Sequence, residues 1–318
     1  MKKPLIILTG PTAVGKTDLS IKLAKAVNGE IISADSMQVY KHMNIGTAKI
    51  MPSEMSGIKH YLIDEFAPQE DFNVVKFKEY AEKYMAEIYA NNKVPIIAGG
   101  TGFYIQAVLY GIDFEENEED TSHGISYRKE LENLAQEKGA LYIHSMLQEA
   151  DPAAACSIHP NNIKRVIRAL EYYKQTGNKI SEHNAEQRQK ESPYNFCYFV
   201  LNNKREVLYE RINKRVDVMI EQGLLEEVKH LLDMGCTKDM VSMQGLGYKE
   251  IIEYLEGKCT FQEAVYILKR DTRHFAKRQL TWFKREKDVI WVNKDQYNDN
   301  DDKVLEAMIK EIKLNNLI

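Results

Sequence analysis

The chain has 318 residues, of which 44% are hydrophobic and 28% are charged, proportions typical of a globular protein that is long enough for more than one domain. Its 43 Lys and Arg against 47 Asp and Glu give a net charge of −4, which excludes a uniformly basic coat but not a local basic surface. The four cysteines form no C-x-x-C pair and have no histidine at zinc-finger spacing, which argues against disulfides and zinc. Neither a signal peptide nor a membrane span is evident, and we expect a cytoplasmic enzyme.

The first clear motif is a phosphate-binding loop near the N-terminus. An apolar run at 5–8 predicts a buried parallel strand, and a helical pattern that stops at Gly29 follows. Between them, G-x-x-x-x-G-K-[ST] is matched by Gly10, Pro11, Thr12, Ala13, Val14, Gly15, Lys16 and Thr17, here called the P-loop. Backbone amides would hold a polyphosphate there, Lys16 would neutralise its charge, and the Thr17 hydroxyl would contact Mg²⁺. The motif predicts a phosphate compound, with ATP among the candidates.

Three further apolar runs, at 30–36, 61–64 and 94–98, predict more strands. The first two end near Asp35 and Asp64, and the third runs into Gly-Gly-Thr at 99–101. Because ligands lie at the carboxyl ends of parallel strands, we expect Asp35 and Thr101 to face the P-loop crevice. Turn or helix-capping chemistry is the alternative for both aspartates, and for Asp64 it is the better interpretation. The alternation of strands and helices predicts an α/β fold, a doubly wound parallel sheet of the P-loop NTPase type.

More motifs follow in order along nearly the whole chain. They are Asp-Ser-Met-Gln-Val-Tyr at 35–40, Gly-Thr-Ala-Lys at 46–49, Ile-His-Pro-Asn at 158–161, Gln-Gly-Leu-Gly-Tyr at 244–248 and Lys-Arg-Gln-Leu-Thr-Trp-Phe at 277–283. With the P-loop and residues 99–101, they resemble the tRNA dimethylallyltransferases of the bacterial type, also called tRNA isopentenyltransferases. Two positions depart from that pattern, Asn162 where Asp is usual and Ile50 where Pro is usual, and neither is at a reacting group.

This resemblance implies a reaction and a set of residues for it. A dimethylallyl group would pass from dimethylallyl diphosphate to N6 of the adenosine next to the anticodon, position 37 of tRNA, with release of diphosphate. Asp35 would accept the N6 proton, and Thr101 and Arg215 would bind the diphosphate with Mg²⁺. An ordinary surface pair with Asp217 or Glu221 is the alternative for Arg215. The tRNA contacts would be Asp35, Ser36, Met37, Gln38, Thr101, Arg128, Lys164, Arg165, Val166, Ile167, Arg168, Lys277 and Arg278.

The remaining pattern predicts a helical insertion within the α/β core. Helices at 127–138, 140–150, 152–158 and 163–176 precede the next strand at 196–200, after an acidic connection at 115–120. We therefore divide the chain into a core of 1–115 and 194–318 and an insertion of 116–193 that contacts tRNA. The later core should contain a long helix at 205–234, helices at 247–256, 260–267 and 270–284, a strand at 289–292, and a polar, mobile linker at 295–302 before a last helix.

Basic residues are concentrated in two places. Lys164, Arg165 and Arg168 share one helix face, and residues 269–287 combine basic with aromatic side chains. Both regions could contact the anticodon stem-loop of tRNA. Alternatively, the basic side chains form a solvated helix face and the aromatic side chains belong to the core. Two other functions remain open, a nucleoside or nucleotide kinase and an ATP-dependent RNA-binding protein. A kinase needs no arginine-bearing insertion, and an RNA-stimulated ATPase needs an acidic metal-binding strand that we cannot place. We expect a monomer without membrane contact.

Overall fold

The computed structural model describes residues 2–112, 122–187 and 189–318. They fall into two compact units, Met1–Leu109 with Pro193–Ile318, here the α/β unit, and Tyr110–Ser192, here the helical unit. The acidic connection expected at 115–120 lies outside the described residues, so the domain boundary proposed there stays a prediction. Among the helices of the described part, none is long and apolar enough to cross a membrane.

The described strands of the α/β unit form one parallel sheet. They are β1 (Lys3–Thr9), β2 (Gly29–Ala34), β3 (His60–Tyr61), β4 (Val94–Gly99), β5 (Tyr194–Asn202) and β6 (Val289–Asn293). Their spatial order is β3-β2-β4-β1-β5-β6. The central strand β1 has Ile6 opposite Ile96 of β4 on one side and opposite Cys197 of β5 on the other. This architecture confirms the predicted P-loop type of α/β fold.

Helices surround the sheet and build the second unit. Those of the α/β unit are α1 (Lys16–Val27), α2 (Val74–Ala90), α3 (Gly102–Leu109), α9 (Arg205–Glu221), α10 (Leu224–Asp233), α11 (Tyr248–Leu255), α12 (Phe261–Phe283) and α13 (Asp301–Leu314). Those of the helical unit are α4 (Ser122–Lys138), α5 (Ala140–Ala150), α6 (Pro152–Ser157), α7 (Ile163–Thr176) and α8 (Ile180–Gln187). The sequence pattern did not predict α8, which buries no residue.

The core of the α/β unit lies on both faces of the sheet. Ile6 and Leu8 pack on one face with residues of α1 and α13, among them Leu19 and Met308. Successive strand residues point to opposite faces, so the fully buried Ile7 belongs to the other face, and α2 packs against β2 and β4. Burial on both faces explains why the strands are continuous apolar runs without alternation.

Four expectations about secondary structure were wrong for backbone reasons. Helix α1 ends at Val27, its C-cap Asn28 has a φ of 50°, and Gly29 already begins β2. The strand expected at 61–64 stops at Tyr61 because Leu62 and Asp64 have φ values of 61° and 56°. The long helix expected at 205–234 breaks at Gly223, where a φ of 99° starts α10. Conversely, the two helices expected at 260–267 and 270–284 are one continuous helix, α12.

The polar segment near the C-terminus was also misread as a mobile linker. Lys294–Tyr297 is a 3₁₀ helix, and α13 begins at Asp301 with Asn300 as its N-cap. Lys294 is only 3% exposed although its neighbours are polar. Polarity of the sequence therefore did not indicate mobility here, because the lysine is anchored in the interior.

Candidate active site

The P-loop joins β1 to α1 and closes around its own lysine. Lys16 Nζ donates hydrogen bonds of 2.9 Å to the carbonyl oxygens of both Gly10 and Pro11. Gly10 has a φ of 146°, and a Cβ at this position would lie 2.4 Å from the carbonyl oxygen of Leu201 on β5. Gly15 has a φ of 94° at the start of α1. The glycines of the motif are thus required by close approach and by backbone conformation.

One glutamine of α12 connects the P-loop to the turn after β4. Gln279 accepts a 2.9 Å hydrogen bond from the Thr12 amide and donates one of 3.0 Å to the Gly100 carbonyl oxygen. A Cβ at Gly100 would lie 2.2 Å from Gln279 Nε2, so the contact itself requires glycine. Gln279 was part of a quoted motif, but sequence analysis gave it no role.

A second contact with the P-loop comes from the misread polar segment. Lys294 Nζ donates to the Val14 carbonyl oxygen at 3.3 Å and pairs with Asp301 Oδ1 at 2.6 Å. This lysine contacts the backbone of the P-loop and was missed by sequence analysis. A lysine in a polar run gives no signal in the sequence that its Nζ will be buried.

Three of the predicted catalytic and phosphate-binding groups share one electrostatic environment. The pKa of Lys16 is lowered to about 7, chiefly by burial and then by the Arg215 charge, while Asp35 opposes the shift. Burial also lowers the pKa of Arg215, against the opposing charges of Asp18 and Asp35. Asp217, one of the alternative partners considered for Arg215, instead pairs with Lys269 at 2.5 Å.

Asp35 forms a turn and still has a carboxylate oxygen to offer. Its Oδ1 accepts hydrogen bonds from the Met37 amide at 2.9 Å and the Gln38 amide at 3.4 Å. These bonds hold residues 35–38 directly after β2 as an Asx turn. Oδ2 has no hydrogen-bond partner among the residues that the structure describes. Asp35 therefore does form the turn, and the turn hydrogen bonds orient its carboxylate while leaving Oδ2 available to a substrate.

Thr101 lies beside the same strand end. Its amide donates to the carbonyl oxygen of Ala34 at 3.1 Å, the residue immediately before Asp35. The close approach depends on Gly99, where a Cβ would meet that carbonyl oxygen at 2.2 Å. In contrast, Asp64 pairs with the buried Lys49 at 2.5 Å, an ion pair that the sequence analysis did not predict.

The predicted tRNA residues of the helical unit differ in what they expose. On α7, Lys164 and Arg165 are exposed and Arg168 is half-buried. Val166 and Ile167, also predicted as contacts, are 0% and 4% exposed and pack in the apolar core of the unit. The expectation of side-chain contact with RNA is therefore corrected for these two, because their side chains point inward.

Arg128 also has a structural partner. Its Nε and Nη2 donate to the two carboxylate oxygens of Glu171 at 2.8 and 2.9 Å, and Glu171 is only 6% exposed. This two-pronged pair joins α4 to α7.

The basic face of α12 borders a surface depression. It is lined by His274, Lys277, Arg278, Thr281, Trp282 and Arg285. Lys277 and Arg278 are exposed, as a contact with RNA requires. Phe283 is fully buried, and the Trp282 ring lies so close to Gly102 that a Cβ there would be 2.2 Å from it. The core interpretation therefore holds for Phe283, whereas Trp282 reaches the depression.

Comparisons with known proteins agree on one family for this chain. The family model described as IPP transferase matches residues 38–286. A tRNA dimethylallyltransferase from Lachnoclostridium phytofermentans is 65% identical over 308 residues, 97% of each chain, and one from Acetivibrio thermocellus is 53% identical over 304 residues, 96% of each. The crystal structure of tRNA delta(2)-isopentenylpyrophosphate transferase from Staphylococcus epidermidis has a TM-score of 0.71 at 46% identity, covering 98% of this chain and 99% of that one.

Proposed function

The chain belongs to the IPP transferase family, the tRNA dimethylallyltransferases, and we propose that it transfers the dimethylallyl group of dimethylallyl diphosphate to N6 of the adenosine at position 37 of tRNA, releasing diphosphate. One observation carries the proposal. Asp35 presents, at the end of β2, a carboxylate oxygen that no described residue pairs with, within electrostatic range of Lys16 and Arg215. A proton acceptor and a phosphate site at one sheet edge suit alkyl transfer to an amine.

On the donor side, the diphosphate binds at the P-loop. The loop amides, Lys16, Arg215 and the Thr101 hydroxyl are the donors and charges available there. Negative charge grows on the diphosphate as its bond to the allyl carbon breaks. Fixed positive groups at this site stabilise that charge and so lower the barrier.

Magnesium fits the site through Thr17. The Thr17 side chain is exposed in the first turn of α1, where a hydroxyl can contact an ion bound to phosphate. The described residues contain no group of three or more His, Cys, Asp or Glu that would hold a metal by itself. That donor set suits Mg²⁺, which is usually held by few protein ligands together with phosphate oxygens and water. The bound ion supplies positive charge to the leaving diphosphate.

On the acceptor side, Asp35 takes the proton of the adenine amino group. The N6 lone pair is delocalised into the ring, so the nitrogen is a weak nucleophile and needs a base as the C–N bond forms. A base stacked in the anticodon loop cannot reach the end of β2, so it flips out to react. Lys164, Arg165 and Arg168 of α7 and Lys277 and Arg278 of α12 hold the RNA backbone.

The test is to incubate the protein with Mg²⁺, unmodified tRNA and either dimethylallyl diphosphate or ATP, and then to measure nucleoside masses. We expect dimethylallyl-adenosine with the first donor only. A tRNA with guanosine at position 37 is the matched control and should stay unmodified. A phosphorylated small product would support a kinase, and ATP hydrolysis stimulated by RNA without any mass change would support an RNA-dependent ATPase.

A further inference from the structure

The side-chain amide of Gln38 has a defined orientation. Its Nε2 lies 3.3 Å from the carbonyl oxygen of Thr47 and 3.3 Å from that of Ala48. Carbonyl oxygens only accept hydrogen bonds, so the NH₂ group must face them and not Oε1. Oε1 has no hydrogen-bond partner in the described part of the chain. Gln38, which belongs to the turn that Asp35 holds, can therefore offer an acceptor to a ligand.

The backbone that orients Gln38 is itself held by one carboxylate. Glu227, in the first turn of α10, accepts hydrogen bonds from three consecutive amides: Asn44 at 2.8 Å, Ile45 at 2.7 Å and Gly46 at 3.0 Å. Successive amides that converge on one anion form a rigid concave arrangement. Residues 44–48, here the amide loop, are therefore fixed by a residue about 180 positions away in the chain.

Tyr248 completes the carboxylate's contacts. Its hydroxyl donates to Glu227 Oε1 at 2.8 Å, and its side chain is fully buried. Burial and the Glu227 charge raise the pKa of Tyr248 well above its usual range, so the hydroxyl stays a donor. A Cβ at Gly46 would lie 2.6 Å from the tyrosine ring, so the amide loop rests directly on it.

We propose that Glu227 is a positioning residue for the acceptor base: through the amide loop it holds the NH₂ group of Gln38, so that Gln38 Oε1 faces the substrate. The inference rests on the proposed function, because the base is the adenosine of the tRNA. An acceptor oxygen at this place favours a base with an exocyclic amino group and disfavours one with a carbonyl oxygen.

The first test compares Glu227→Gln with Glu226→Gln. Glu226 is the exposed neighbour in the same helix turn and makes no contact with the amide loop, so it controls for charge and for helix stability. A glutamine at 227 cannot accept from all its donors, since its own NH₂ group then faces backbone N–H groups. We expect Glu227→Gln to weaken tRNA binding about tenfold, while KM for dimethylallyl diphosphate changes less than about twofold. Glu226→Gln should behave as wild type.

A double-mutant cycle shows whether Glu227 acts through Gln38. If it does, the double variant loses little more tRNA affinity than Gln38→Ala alone. If the two residues act independently, the losses of the single variants add. Wild-type protein should also prefer an anticodon stem-loop with adenosine at position 37 over one with inosine, and both single variants should reduce that preference. Additive effects, or an unchanged preference, would overturn the proposal.

Two further measurements keep the result interpretable. If Glu227→Gln prevents folding, the milder variant Tyr248→Phe replaces it. This variant removes one of the four hydrogen-bond donors to Glu227, and we expect about a threefold loss of tRNA affinity. Hydrogen exchange at the amides of residues 44–46 should accelerate in Glu227→Gln and not in Glu226→Gln. Apart from KM for dimethylallyl diphosphate, all these readouts are of binding or exchange. A wild-type protein that forms no dimethylallyl-adenosine would contradict the proposed function, and the cycle would still test the positioning role.

Discussion

The two units of the molecule present their functional groups in opposite ways. In the α/β unit, Lys16 and Arg215 are partly buried, have pKa values lowered by their surroundings, and interact with Asp35. In the helical unit, Lys164 and Arg165 stand exposed on α7 over an apolar core. Groups of the first kind can stabilise a transition state, whereas exposed charges chiefly attract and orient an RNA. Substitutions of these partly buried groups should therefore change kcat, and substitutions of the exposed cations of α7 should change tRNA affinity.

The largest effect is expected at Asp35. Asp35→Ala should lower kcat by ~10²–10⁴, the usual range for a positioned acid–base group, with little change in donor affinity. Asp35→Asn can still accept the turn hydrogen bonds and contact the amino group, but it cannot take a proton. Single-turnover rates at saturating tRNA measure the chemical step directly. A fast Asn variant would show that Asp35 only orients the base.

The next largest effect on turnover is expected in the P-loop. Lys16→Ala and Thr17→Ala each remove support for the departing diphosphate, and we expect a loss of ~10²–10³ in turnover. Inorganic pyrophosphate should compete with dimethylallyl diphosphate in the wild type and more weakly in both variants. Lys25→Ala, an exposed lysine in the last turn of the same helix, is the control. Full turnover in both P-loop variants would mean that the donor binds elsewhere.

The P-loop also gives a pH dependence. With a pKa of about 7, Lys16 loses its proton in the free protein as the pH rises above neutrality. A bound diphosphate favours the charged lysine and raises that pKa, so binding takes up a proton above about pH 7. Donor affinity should therefore fall as the pH rises, by up to about tenfold per pH unit. Calorimetry in buffers of different ionisation enthalpy measures this proton uptake.

The control for that experiment is Lys16→Arg. Arginine keeps its charge throughout this range, so the variant retains only the protons exchanged by the ligand itself. The difference between the two proteins is the contribution of Lys16. Equal proton uptake in both would show that Lys16 stays protonated in the free protein.

Local signals in the sequence predicted most of the groups that would react, and none of the residues that hold them. The P-loop glycines and the end of β2 belong to short segments whose backbone needs are visible in the motif. Their supports come from far along the chain: Gln279 contacts Thr12 across 267 positions, and Lys294 contacts Val14 across 280. Such contacts arise from the tertiary fold, and neither periodicity nor spacing reports them.

A smaller effect, this time on stability, is expected at Arg128. Arg128→Ala leaves the buried Glu171 carboxylate without its two-pronged partner and should destabilise the helical unit by about 1–2 kcal/mol, since the arginine is half exposed. Lys129→Ala, the exposed neighbour, is the control. Measuring both thermal unfolding and tRNA binding separates the stabilising role of Arg128 from its predicted RNA contact. Unchanged stability with weaker tRNA binding would assign Arg128 to the RNA.

The smallest effect is expected for the exposed cations of α7. Arg165→Ala removes one charge that we propose contacts phosphate, and the slope of log affinity against log salt should fall by about one counterion. The affinity loss at moderate salt is then only a few-fold, and kcat at saturating tRNA should not change, because the residue takes no part in the chemistry. Lys310→Ala, an exposed lysine of α13, removes the same charge from the α/β unit and should leave the slope unchanged.

Titrations of tRNA at several salt concentrations measure this slope. Equal slopes for Arg165→Ala and Lys310→Ala would show that the α7 cations form a solvated face, and the division of roles between the partly buried groups and the exposed cations of α7 would then fail.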